Sequence, residues 1–205
     1  MNRKLYVAAC ASLLLAACAG AAVTSLPYGA ETPDSWQAQI GSTRPVGLGL
    51  AGSVLGDGVH FAGGVQLLTP TVSPLRSLSD LKLLGDSDFV AVSDAGDLVR
   101  GSLRLDADGQ LVGLDQLRSH RLTLTNGSPI EDKTDGDAEG LALLPNGDLL
   151  VTFERNHRIW NYGPLEAMRT PQNLPRPMWD FQPNGGMEAI AARDQNLWRV
   201  AGEDG

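Results

Sequence analysis

Acidic residues recur at both ends of short apolar runs, at a spacing regular enough for them to act together. Asp80 and Asp94 flank one such unit, Glu139 and Glu154 a second, and Glu188 and Glu203 a third. The second and third units have the same length, and the first is one position shorter. In a two-stranded hairpin, the residue before the first strand and the residue after the second lie at the same end. Each pair is therefore expected to bring two carboxylates together. Crowded carboxylates repel one another and hold protons more tightly unless a cation sits among them. Oxygen donors without Cys or clustered His favour a hard cation, calcium above all. Asp137 adds a donor, because acids at every second residue of Asp135-Gly136-Asp137-Ala138-Glu139 share one face of an extended segment. The competing reading is that strand-end acids are solvated turn residues.

Arg155 and Arg158 follow Glu154 closely and have the geometry to hold a phosphate beside a metal, although salt bridges to the neighbouring acids would use them equally well. Other catalytic templates are missing from the sequence. There is no Gly-x-Ser-x-Gly elbow, no His-Glu-x-x-His run and no phosphate-cradling glycine loop, and His60, His120 and His157 are isolated. A serine esterase of the α/β-hydrolase type is thereby disfavoured.

The elements that must position these acids read as strands. Residues 79–84, 89–93, 98–105, 141–144, 149–153 and 159–162 are short apolar runs, with Asp86-Ser87, Asp108-Gly109 and Asn146-Gly147 as turns between them. No helical period lasts three turns, so the class is all-β. The units (acid, strand, turn, strand, acid) begin at Asp80, Glu139 and Glu188. A hairpin repeat of roughly fifty residues indicates a β-propeller with one unit per blade, the acids converging at the mouth of its channel. Three units, with a further blade from residues 46–68, make three to four blades. This suggests an incomplete, N-terminal portion of the propeller.

The chain begins as a bacterial lipoprotein would. Met1-Asn2-Arg3-Lys4 is positive, residues 5–15 are apolar, and Leu15-Ala16-Ala17-Cys18 ends a lipobox-like leader. The alternative is a plain signal peptide cut after Ala17 or Ala22. Residues 1–17 are then leader, Cys18 is the lipid site, residues 18–45 are a Pro- and Gly-bearing tether, and residues 46–205 are the propeller domain. Ala19 after the Cys, where Asp would favour retention at the inner membrane, points to the outer membrane. The expected location is the cell envelope, anchored in that membrane by lipid and facing the periplasm or the exterior. With Cys10 lost in the leader and Cys18 acylated, no disulfide remains. Of 16 basic residues, loss of Arg3 and Lys4 leaves 14 against 24 acidic, a formal charge of −10. Such a chain repels nucleic acid and suits cations.

Several motifs stand together in order: Phe61-Ala62-Gly63-Gly64-Val65, Leu78-Ser79-Asp80-Leu81, Val92-Ser93-Asp94-Ala95-Gly96 and Asp137-Ala138-Glu139-Gly140-Leu141. They continue with Phe153-Glu154-Arg155, Arg158-Ile159 and Asn184-Gly185-Gly186-Met187-Glu188-Ala189. Over roughly residues 60–205 the chain resembles the phytase-like family, described by the esterase-like activity of phytase. The resemblance implies a propeller and hydrolysis of a phosphate or other ester, by analogy with calcium-dependent propeller phytases. Asn184 joins Arg155 and Arg158 as a candidate substrate contact. The candidate metal ligands are Asp80, Asp94, Asp137, Glu139, Glu154, Glu188 and Glu203. Two functions follow: a calcium-dependent ester hydrolase, or a non-catalytic envelope propeller that binds a ligand or protein, its metal purely structural. A lactonase-type metal propeller is a third. Fold alone does not choose between them.

Overall fold

Turn chemistry folds the chain into successive antiparallel sheets. The computed structural model describes residues 36–47 and 53–202, so the leader, Cys18 and Glu203 lie outside the described residues. The first strands are short: β1 (Gln37–Ala38), β2 (Ser42–Pro45), β3 (Val54–Gly56), β4 (Val59–His60) and β5 (Val65–Leu68). Then come β6 (Leu78–Leu83), β7 (Asp88–Ser93), β8 (Asp97–Leu105) and β9 (Leu111–Arg121). A single helical turn, α1 (Lys133–Gly136), precedes β10 (Ala138–Leu143), β11 (Asp148–Phe153), β12 (Arg158–Pro164) and β13 (Gln172–Leu174). The last pair is β14 (Ala189–Asp194) and β15 (Leu197–Ala201).

The first sheet runs β1-β9-β8-β7-β6, an up-and-down meander of β6 to β9 with β1 added at its edge, the second is the meander β10-β11-β12-β13, and β14 and β15 form a two-stranded third. The expected hairpins are present: β6 with β7, β10 with β11, and β14 with β15 are all antiparallel. Their turns close as the residue types require. At Asn146-Gly147, the Gly147 N–H donates to Leu144 O at 2.8 Å, and Asp106 and Gln110 close the turn holding Asp108-Gly109. The fold is all-β, as expected, and the sheets do not close into a ring among the described residues. Residues 46–68, expected as a further blade, instead contribute β3 paired with β4, and β5 paired with β2. Within the expected tether, residues 37–38 pair with β9 and residues 42–45 with β5.

The central strands explain why the apolar runs are unbroken. On β7, Val90 and Val92 face a core shared with β10 and β11, while Phe89 and Ala91 face a second core with Leu75, Val99 and Leu117. On β11, Leu149, Val151 and Phe153 join the first core and Leu150 enters a third, with Ile159, Met187 and Ile190. A strand covered on both faces has no reason to alternate. The sheets therefore stack face to face, and β10 lies against β6 and β7 on one side and β14 on the other. Gly140 permits the second approach, since a Cβ there would meet Thr152 Oγ1 at 2.7 Å and the Ile190 nitrogen at 3.1 Å. Thr152, buried beside it, donates its hydroxyl to Met187 O across the junction at 2.8 Å.

β9 is the longest strand and the one whose sequence pattern is least regular. Its alternation breaks where Asp115 and Gln116 are both exposed. There the register with β8 shifts between Arg100 and Ser102, and Gln116 takes a left-handed φ of 54°. A β-bulge inserts a residue and hides the strand's period.

Candidate metal centre

Equivalent positions in the first two sheets follow from the hydrogen-bond register. The register of β6 with β7 shifts between Leu78 and Asp80, and that of β10 with β11 between Ala138 and Gly140. The inserted residues are Ser79 and Glu139. Beyond them, the Asp94 N–H donates to Ser77 O at 3.0 Å, and in the same way the Glu154 N–H donates to Asp137 O at 2.8 Å. Asp94 thus matches Glu154 and Ser79 matches Glu139, while Asp80 matches Gly140. The expected pairing of Asp80 with Asp94 is off by one position. Asp80 accepts from the Leu141 N–H of the next sheet at 2.9 Å and pairs with Lys82 Nζ at 2.7 Å. The sequence carries a mark of this, since the interval from Asp80 to Asp94 is one shorter than that from Glu139 to Glu154. Counted at the longer interval, the partner of Asp94 is Ser79.

At the junction of the first and second sheets, a protein ammonium neutralises the acids. Lys133 Nζ lies 2.7 Å from Asp94 Oδ2 and 2.8 Å from Asp137 Oδ1. Burial works against its charge, but hydrogen bonds to Asp137 and Asp94 outweigh that and raise its pKa. The turn α1 delivers this lysine: Asp132 caps it by accepting the Asp135 N–H at 3.0 Å, and Asp137 closes its far end onto Lys133 O. No sequence signal links Lys133 to an acid as far back in the chain as Asp94.

At the junction of the second and third sheets, no Lys or Arg forms a salt bridge with Glu139, Glu154 or Glu188 among the described residues. Carboxylate oxygens of Asp137, Glu139 and Glu154 all lie within 4.8 Å of one another. Glu188 completes the group: Glu154 and Glu188 hydrogen-bond each other, and both accept the Gly186 N–H, at 2.9 and 3.4 Å. Gly186 lets the His157 ring lie close over it, since a Cβ there would meet that ring at 2.7 Å and Glu154 Cγ at 3.3 Å. Burial pushes the Glu139 carboxyl up to about 7, helped by the charges of Asp137 and Glu188, against a hydrogen bond from Ser79 and the charge of Lys133. Burial likewise pushes Glu154 up to about 7, reinforced by the hydrogen bond and charge of Glu188 and opposed by the Gly186 N–H. Lys133 and Arg155 pair with Asp137, but Glu139, Glu154 and Glu188 have no salt-bridge partner among the described residues, and two of them hold protons near neutrality. That deficit and the all-oxygen donor set fit a hard divalent cation.

The remaining candidates divide. Arg155 rises from the end of β11 with a left-handed φ of 54°, a conformation that costs a non-glycine residue about 1 kcal/mol or more. Its Nε donates to Asp137 Oδ2 at 2.5 Å and its Nη2 to Asn184 Oδ1 at 3.2 Å. Arg155 and Asn184 are thus linked at the edge of the cluster. Arg158 is buried instead, its guanidinium 3.9 Å from the Phe153 ring centre and 4.2 Å from that of Trp160, and donates to the carbonyls of Asn156 and Asp135. It stabilises the fold around the site and is not presented to a ligand.

A sequence model of the phytase-like family, described by the esterase-like activity of phytase, matches residues 73–203, more than half of the chain. No curated protein and no solved structure matches.

Proposed function

The chain belongs to the phytase-like family, and from that premise we propose that it is an exported, lipid-anchored β-propeller protein that hydrolyses a phosphate or other ester at a calcium site. The observation that carries the reading is the cluster of Asp137, Glu139, Glu154 and Glu188, in which only Asp137 has salt-bridge partners among the described residues and two of the other carboxyls are pushed up to about 7. Support for the propeller comes from the meander of each sheet, from the adjacency of β6, β10 and β14, and from the repeated ends at Asp94 and Glu154. Support for the anchor comes from Leu15-Ala16-Ala17-Cys18 and the charged, apolar leader before it.

Asp137, Glu139, Glu154 and Glu188 would hold the cation, with Glu203 the remaining candidate on the third unit. The cation would neutralise charge developing on the ester oxygens and acidify water. The chain's own part is to keep those carboxylates fixed, through the Gly186 N–H and the Ser79 hydrogen bond to Glu139. Arg155, held by Asp137 and Asn184, is placed to receive an anionic oxygen. Without the cation the Glu139 carboxyl is pushed up to about 7, so cation binding there would displace a proton and strengthen as pH rises.

Hydrolysis of chromogenic phosphate and carboxylate esters, each with calcium and with chelator, tests the reading. Calcium-dependent turnover is expected for at least one. Stabilisation by calcium without turnover of either would establish the other reading, a ligand-binding propeller whose metal is structural.

A further inference from the structure

Glu188 reaches the carboxylate cluster on a segment with little regular structure of its own. Between β13 and β14, residues 182–188 carry one antiparallel bridge, Gln182 with Gly185. Hydrogen bonds to β11 and to the turn after it set where that segment lies. Thr152 Oγ1 donates to Met187 O at 2.8 Å, which fixes the chain just after Gly186. On the other side, Arg155 Nη2 donates to Asn184 Oδ1 at 3.2 Å and His157 Nε2 bonds Gln182 O at 2.9 Å.

The peptide between Gly185 and Gly186 is the one that matters to the acids. Its N–H is held by Glu154 Oε1 at 2.9 Å and Glu188 Oε1 at 3.4 Å, which leaves the other oxygen of each carboxyl for a cation. Two successive glycines give that peptide wide rotational freedom, so its direction has to be imposed from outside. His157 imposes it twice. Through Nε2 it holds Gln182, the bridge partner of Gly185. With the Cε1–Nδ1 edge of its ring it covers Gly186, where a Cβ would meet both atoms at 2.7 Å. A carbonyl can only accept, so Nε2 carries the proton of the neutral ring. Nδ1 is buried and takes no hydrogen bond among the described residues, so that edge acts by contact alone. The Phe181 ring, 5.2 Å from that of His157, backs it from the third core.

We propose that His157 is a positioning residue of the cation site: it orients the Gly185–Gly186 peptide, whose N–H holds Glu154 and Glu188 for the ion. This rests on the calcium reading above. Groups that orient metal ligands from outside commonly change metal affinity ten- to a hundredfold when replaced, and a group acting through one peptide belongs at about tenfold.

Calorimetric titration of the full chain with calcium chloride, well below the melting temperature, tests it on wild type, His157→Asn and His157→Gln. The amide nitrogen of Gln stands about where Nε2 does and can still donate to Gln182 O, whereas that of Asn stands near Nδ1 and cannot. His157→Asn should raise the calcium dissociation constant about tenfold, and His157→Gln should restore most of the loss. Melts of the same variants in chelator separate packing from positioning. If His157→Asn melts lower in chelator yet binds calcium like wild type, His157 serves the fold alone and the proposal is overturned. Equal weakening by Asn and Gln overturns it too, because the bond to Gln182 would then be immaterial. Wild type that takes up no calcium sinks the calcium reading itself and this role with it, a result distinct from tight binding by both wild type and His157→Asn.

Discussion

Replacing Glu139 by Gln removes a charge from the cluster while keeping the shape of the side chain, and its effect should reverse with calcium. Glu139 is pushed from 4.5 to about 7 in the fold, chiefly by burial and then by Asp137 and Glu188. A carboxyl raised in the native state stabilises the fold while protonated, and that contribution is lost as pH rises through about 7. Above pH 7 the ionised group is therefore a liability. At 1.36 kcal/mol per unit, the shift corresponds to about 3 kcal/mol, and partial exposure of the side chain reduces this to roughly 1–2 kcal/mol. In chelator at pH 8, Glu139→Gln should therefore melt about 2–8 °C above wild type, taking about 2–4 °C per kcal/mol for a domain of this size. Calcium at about a hundredfold excess over its dissociation constant should add about 2.7 kcal/mol to wild type, and less to the variant. At pH 5 in chelator the difference should shrink, since both forms are then largely uncharged. Glu166 resembles a free surface acid in the sequence but lies 2.8 Å from Arg100, so Asp86, exposed in the turn between β6 and β7, is the better control. Thermal melts at the two pH values, with calcium and with chelator, settle the matter. A variant that melts below wild type in chelator at pH 8, or gains as much from calcium, would show that these acids neither repel nor bind a cation.

Two further outcomes are expected. Cys18→Ser should move the protein from the membrane fraction to the soluble fraction after cell fractionation, and retention equal to wild type would exclude lipid anchoring at Cys18. Asp97 is 3 % exposed and is pushed up to about 7 by burial, against the pull of Arg121, 3.1 Å away. Its contribution is therefore present at low pH and lost as pH rises through about 7, by up to about 4 kcal/mol. Asp97→Asn should flatten the decline in urea-unfolding stability between about pH 4 and 7, and an unaltered slope would contradict it.

What was legible from sequence is what neighbours in the chain decide. The strands β6, β7, β10, β11, β14 and β15 were readable because a hairpin needs only two apolar runs and the turn residues between them. Glu139, Glu154 and Glu188 were readable because hairpin length sets which residues meet at its end, and the interval from Glu139 to Glu154 recurs from Glu188 to Glu203. The resemblance to the phytase-like family was carried by the same local motifs, and the family match covers them.

Only the tertiary structure decided how those ends are used. Asp80 serves the neighbouring sheet, accepting the Leu141 N–H, because β10 packs against β6. Lys133 reached Asp94 across a whole sheet and removed that acid from the competition for a cation. Arg158, two positions past an exposed residue in the chain, was drawn between Phe153 and Trp160 by packing. Each of these depends on which sheet faces which, and face-to-face packing joins residues tens of positions apart through contacts that no local pattern encodes.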